Sequence, residues 1–152
     1  RHFLDSAQIL AFIGNKSLKI SDFGTGAGFP GLIIAIFGQK YKFHVKLYEK
    51  SPVKRQFLEG AIKELRLKST VLGDVKDEVL DSEIIVCRAF KKLDKVIQVS
   101  REIAEKPHKL IILKGQNAQE ELNISLKTKK YPYKLEKSIT NDESKIILMQ
   151  ID

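Results

Sequence analysis

The sequence predicts an α/β fold: a mostly parallel seven-stranded sheet with helices on both faces, closed by an antiparallel strand. Three observations predict it. Short apolar runs alternate with longer amphipathic ones along nearly the whole chain, which is the pattern of βα units. The first strand runs straight into a glycine-rich turn, Gly24-Thr25-Gly26-Ala27-Gly28. The last two strand-like runs are separated only by a turn at Asn141-Asp142-Glu143, so they must be antiparallel.

Arg1 to Ile13 reads as a helix with Phe3, Leu4, Ala7, Leu10 and Ala11 on its buried face, capped by Gly14-Asn15. Leu18 to Phe23 is the first strand. Pro30 sits where the next helix can begin, because proline's missing N–H costs nothing in a first turn. Gly31 to Phe37 is apolar nearly all round, as suits a helix pressed onto a sheet, and Gly38 stops it. Phe43 to Glu49 is the second strand. Ser51-Pro52 opens a helix to about Leu67 that presents Phe57, Leu58, Ala61, Ile62 and Leu65 on one face. Thr70 to Leu72 is a short third strand, followed by Gly73-Asp74. Glu83 to Ala89 is the fourth, and Leu93 to Ala104 is a helix burying Val96, Ile97, Val99 and Ile103. Leu110 to Leu113, a helix from Asn117 to Leu126, and the closing pair Tyr131 to Ile139 and Lys145 to Ile151 complete the order. No linker divides the chain, so residues 1–152 are expected to form one domain.

Composition narrows the function classes. The chain has 152 residues, a charged fraction of 30% and a formal charge of +8, with 27 Lys+Arg against 19 Asp+Glu. Such an excess makes a nucleic-acid partner plausible without requiring one. The single cysteine, Cys87, excludes an internal disulfide and a cysteine zinc site, and points to a reducing cytoplasmic setting. The longest nearly apolar run, Phe29 to Phe37, is far short of the ~20 residues of a membrane span. No metal site, no membrane and no apolar stripe demanding a dimer are expected, so the chain reads as a monomer.

The glycine loop is the chief candidate site. After the first strand of a Rossmann-like sheet it lies at the carboxyl ends of the strands, where ligands bind. Gly26, Gly28 and Gly31 match the dinucleotide fingerprint G-x-G-x-x-G, so a dinucleotide oxidoreductase is one reading. Asp22, just before the loop, argues against it. A carboxylate repels a pyrophosphate but favours the sulfonium and ammonium of S-adenosylmethionine. Glu49, ending the second strand, can accept from ribose hydroxyls of either ligand. Asp74, or the backbone at Val75 and Lys76, would lie beside an adenine. Cys87, in mid-strand, reads as a buried apolar residue rather than a nucleophile. Arg88 is placed to pair with a carboxylate or phosphate or to stack on a base. His2 and Asp5, three apart on the first helix, could face the pocket together, and Arg1 with Asp5 could equally form a surface pair. Lys114 could meet a phosphate. Tyr131-Pro132-Tyr133, after Lys127, Lys129 and Lys130, could stack RNA bases or simply enter a strand.

Taken together, Arg1-His2-Phe3-Leu4-Asp5-Ser6, the stretch Gly24-Thr25-Gly26-Ala27-Gly28-Phe29-Pro30-Gly31, Arg88-Ala89-Phe90 and Leu113-Lys114-Gly115-Gln116 resemble the glucose-inhibited division protein B family, also called ribosomal RNA small subunit methyltransferase G. The resemblance covers essentially the whole chain. It implies a class I methyltransferase fold and an enzyme that uses S-adenosylmethionine to methylate ring nitrogen 7 of one guanine in the decoding region of 16S rRNA. The substrate would be the rRNA or the 30S subunit. It also implies cofactor contacts at Gly24, Phe29, Val75, Lys76 and Arg88, beside the loop residues Thr25, Gly26 and Gly28 and the acidic pair Asp22 and Glu49. Family members carry a further segment ahead of the Arg-His motif that this sequence lacks. Guanine N7 has no proton to lose, so no catalytic base is assigned, and His2, Asp5, Arg88 and Lys114 remain the pocket candidates. A non-catalytic RNA-binding module on the same fold is the remaining alternative.

Overall fold

The structure, a computed structural model, describes residues 1–14, 16 and 18–152. Seven strands form one sheet in the order β3-β2-β1-β4-β5-β7-β6. Five of them, β1 (Lys19–Phe23), β2 (His44–Tyr48), β3 (Ser69–Leu72), β4 (Ile84–Arg88) and β5 (His108–Lys114), run parallel. β7 (Lys145–Ile151) is antiparallel to both its neighbours, β5 and β6 (Tyr133–Lys137). The central strands must be apolar on both sides to lie between two helical layers. In β4, Ile84, Ile85, Val86 and Cys87 are accordingly all buried.

One layer packs α1 (His2–Ala7), α2 (Leu10–Ile13), α3 (Gly31–Phe37) and α4 (Pro52–Leu65) on the sheet through Ile9, Ile13, Ile34 and Leu58. The other packs α5 (Leu93–Ile103) and α6 (Ala118–Ser125) through Leu93, Val96, Ala118 and Leu122. The strand order reverses between β1 and β4, and that reversal opens a crevice at the carboxyl ends of the strands. No helix among the described residues is long and apolar enough to cross a membrane.

Three expectations change. The single first helix is broken after Ala7. There the Gln8 amide donates to the Asp5 carbonyl and to Ser138 Oγ, and its oxygen accepts from the Ile139 N–H. Its buried face is Asp5, Ser6, Ile9 and Ile13, while Phe3 and Leu4 are 47% and 54% exposed and Ala11 is exposed. Hydrogen-bond partners on the β6–β7 connection, absent from any helical-periodicity argument, turned the polar side inward. Asn15, half of the expected cap, lies outside the described residues. In α4 only Leu58 is fully buried; Phe57 and Leu65 are 60% and 48% exposed. This helix lies by β3 at the edge of the sheet, where one ridge suffices. In α5, Ile103 is only partly buried.

Candidate functional site

The glycine loop is held on both sides by backbone and carboxylate bonds. Thr25 N donates to the Tyr48 carbonyl at 2.9 Å, Gly26 N to Glu49 Oε1 at 2.9 Å and Gly31 N to Asp22 Oδ2 at 2.7 Å. Two positions require glycine for different reasons. Gly24 has φ +67°, and a Cβ there would lie 2.8 Å from the Phe90 ring. A Cβ on Gly31 would lie 2.3 Å from Leu47 and 2.6 Å from Asp22 Oδ2, so α3 could not approach β1 and β2 so closely.

A cleft of about 340 Å³ opens between this loop, the end of β2, Gly73–Val75 and Ala89–Lys91. Gly24, Gly26, Glu49 and Val75 line it, with Tyr48 and Phe90 adding aromatic wall. Glu49 is partly buried, and its carboxylate accepts from the Gly26 and Ser51 N–H groups, each at 2.9 Å. Asp74 spans the mouth through Lys50 at 3.3 Å. Its side chain caps a single 3₁₀ turn, Val75–Asp77, by accepting from Lys76 N, and that bond holds its carboxyl below the usual carboxylate range, with Lys50 assisting. Lys76 is exposed; it, Thr25, Gly28, Phe29 and Asp22 do not line the cleft.

Asp22 lies wholly buried behind the loop. Burial pushes its carboxyl up to about 7, aided by Glu49; the Thr25 hydroxyl, the Gly31 N–H and Arg88 oppose the rise. The Thr25 hydroxyl acts at short range without closing a well-formed bond, and Asp22 Oδ1 has no hydrogen-bond partner among the described residues. The sequence argument placed a full negative charge here. Desolvation instead favours its protonated form, and its visible work is to hold the start of α3.

A second cavity, about 290 Å³, adjoins the first across Ala89. It gathers His2, Asp5, Arg88 and Lys114, the four pocket candidates, from three distant parts of the chain. Arg88 lines this cavity and not the cleft. Its guanidinium donates to His2 Nδ1 and lies 5.7 Å from the Phe29 ring centroid, tying α1 to the glycine loop. Asp5 Oδ1 accepts from Thr140 Oγ1 and from Ser138 Oγ at 3.1 Å. Ser138 and Thr140 went unnoticed in the sequence, since a serine and a threonine after a strand carry no motif.

Lys114, read from the sequence as able to meet a phosphate, is already engaged within the chain. Its ammonium donates to the Lys91 carbonyl at 2.8 Å and to Glu121 Oε1 at 3.1 Å, and Glu121 also accepts from Leu93 N at the start of α5. Cys87 is buried and its thiol is pushed up to about 12 by burial, so it is no nucleophile. Tyr131 is core, not a stacking platform, and Lys129 lies over its ring. It precedes β6 at the amino end of the parallel strands, away from the crevice. No group of three metal-ligating side chains occurs among the described residues.

The comparisons agree with this geometry. The model of the GidB family, rRNA small subunit methyltransferase G, matches residues 1–146. Ribosomal RNA small subunit methyltransferase G of Pelagibacter ubique (strain HTCC1062) is 36% identical over 148 residues, covering 95% of this chain and 70% of that protein. The same-named protein of Orientia tsutsugamushi (strain Ikeda) is 34% identical over 152 residues, covering 99% and 75%. Among solved structures, a SAM dependent methyltransferase from Aquifex aeolicus superposes with a TM-score of 0.77 at 15% identity, over 99% of this chain and 92% of that one. That last likeness is one of fold, and the sequence matches carry the assignment: the chain belongs to the rRNA small subunit methyltransferase G (GidB) family.

Proposed function

We propose that this chain transfers a methyl group from S-adenosylmethionine to ring nitrogen 7 of one guanine in bacterial 16S rRNA, as the free RNA or within the 30S subunit, acting as a monomer in the cytoplasm. The observation that carries the reading is the pair of adjoining cavities at the crevice, in a chain of this family. The cleft fits the donor. Its size is that of a small-molecule site, its glycine wall lets a ligand reach the backbone, and Glu49 offers a partly buried carboxylate beside it. Family membership sets aside the dinucleotide oxidoreductase that the glycine pattern alone left open.

Bound there, the donor supplies an electrophilic methyl on a sulfonium. Glu49 would accept from its ribose hydroxyls, and Val75 would pack on its adenine. Gly24 and Gly26 would let its amino-acid part approach the chain, Thr25, Gly28 and Phe29 would shape that loop, and Lys76 would flank the adenine end. Asp22 sets the loop from behind and lends partial negative charge. Guanine N7 holds an in-plane lone pair and no proton. It takes the methyl directly as the carbon–sulfur pair leaves with sulfur, so the chain needs no general base. What the protein must do is align nucleophile and methyl and keep water out. Arg88, held by His2 and Phe29, lines the cavity in which the base would be seated.

The test is incubation of the chain with radiolabelled donor and unmodified 30S subunits, followed by borohydride–aniline cleavage, which cuts at 7-methylguanine. A single cut in 16S rRNA is expected. Label on another atom or another RNA, with the donor bound, would overturn the reading.

A further inference from the structure

The second cavity presents its polar groups in an order. Arg88 ends β4, next to the crevice. Ser138, which holds Asp5, follows β6, and in the sheet order β6 lies beyond both β5 and β7 from β4. Moving away from Ala89, a ligand therefore meets a donor first and a carboxylate later. Asp5 is buried, but its two oxygens differ. Oδ1 accepts from Ser138, Thr140 and, at 3.4 Å, Gln8. Among the described residues, Oδ2 pairs with the exposed Arg1 side chain, at 3.8 Å. With its cationic partner at that distance and its side chain 13% exposed, Oδ2 keeps acceptor capacity for N–H groups.

We propose that Asp5 is the specificity-determining residue for the target base, its Oδ2 accepting from the N1–H and N2 amino group of a guanine seated in this cavity. The assignment rests on the guanine substrate proposed above. A guanine placed with N7 toward the cleft shows O6 next, then N1–H, then the N2 amino. That sequence of acceptor then donors complements Arg88 then Asp5. Adenine reverses both: its N6 amino faces the guanidinium and its N1 lone pair faces the carboxylate. The serine and threonine supports fix the carboxylate's orientation, so the polarity of the site cannot easily invert.

The experiment is titration of GMP, IMP and AMP into the chain saturated with S-adenosylhomocysteine, for wild type, Asp5→Asn and Ser138→Ala. IMP lacks only the N2 amino group. Wild type should bind GMP about tenfold more tightly than IMP, and AMP more weakly still. Asp5→Asn should bring the GMP-to-IMP ratio close to one while leaving S-adenosylhomocysteine affinity unchanged. Ser138→Ala, the second probe should the Asp5→Asn variant fail to fold, keeps the carboxylate and should lower the ratio a few-fold. An unchanged ratio in the folded variants, or no GMP binding by wild type at about 5 mM, overturns the assignment. The rRNA cleavage test separates the two readings. A chain that methylates guanine N7 without an Asp5-dependent ratio loses only the Asp5 role. A chain with that ratio that never marks guanine N7 loses the proposed reaction and keeps a guanine site.

Discussion

The two cavities on either side of Ala89 are built in opposite ways. The cleft is built on backbone: short turns after β1, β2, β3 and β4, the first three held by N–H bonds to Glu49, Asp22 and Asp74, with Tyr48 and Phe90 as aromatic wall. The second cavity is made of side chains from α1, the end of β4, the end of β5 and the β6–β7 connection, joined by long-range contacts such as Arg88–His2 and Asp5–Ser138. The difference teaches where each can fail. A backbone site is lost when a turn cannot close. A side-chain site loses function group by group while the fold persists.

Breaking the comparison on the backbone side should have the largest effect, and Asp22 gives it a pH signature. In the unfolded chain this carboxyl loses its proton near pH 4; folded, it holds it to about 7. Between those values the folded state binds more protons, so stability falls as pH rises, by about 4 kcal/mol for this group, and is level above. Denaturant titrations of wild type and Asp22→Asn from pH 4 to 8 should show that slope in the difference between them. A flat difference would mean the carboxyl is solvated. Gly31→Ala comes next. With Leu47 and Asp22 where its methyl must go, it should cost about 3 kcal/mol of stability and weaken donor binding with it, read by melting and calorimetry.

On the side-chain side, smaller losses are expected. Lys114→Met removes a cation that joins the Lys91 carbonyl to Glu121 and leaves that partly buried carboxylate with only its bond from Leu93 N among the described residues. It should cost about 2 kcal/mol in denaturant stability, with donor affinity nearly unchanged. Lys50→Ala sharpens the scale from below. Its bridge to Asp74 is largely exposed, so its removal should change stability by no more than about 0.5 kcal/mol.

The same contrast explains what the sequence reveals. The succession of strands and helices and the antiparallel close follow from alternation and turn length, which are local, and the structure has them. The glycine loop and Glu49 are legible for the same reason: they lie within single turns. The inner face of α1 is not legible, because Ser138 and Thr140, more than a hundred residues away in the chain, decide it. Nor is the outward-facing Phe57, whose exposure depends on α4 lying at a sheet edge. For Asp22 the residue was legible and its charge was not, since desolvation depends on everything packed around it. For Lys114 the position at the end of β5 was legible and its ion pair with Glu121 was not.

The most direct test of the division between donor cleft and base cavity is a paired measurement on Glu49→Ala and Arg88→Ala: calorimetric affinity for S-adenosylmethionine beside the rate of methyl transfer to 30S subunits. The account expects Glu49→Ala to weaken donor affinity by about a hundredfold. Arg88→Ala should keep donor affinity within about threefold while transfer falls by about tenfold or more. Equal loss of donor affinity in both variants would contradict it, and would make Arg88 part of the donor site.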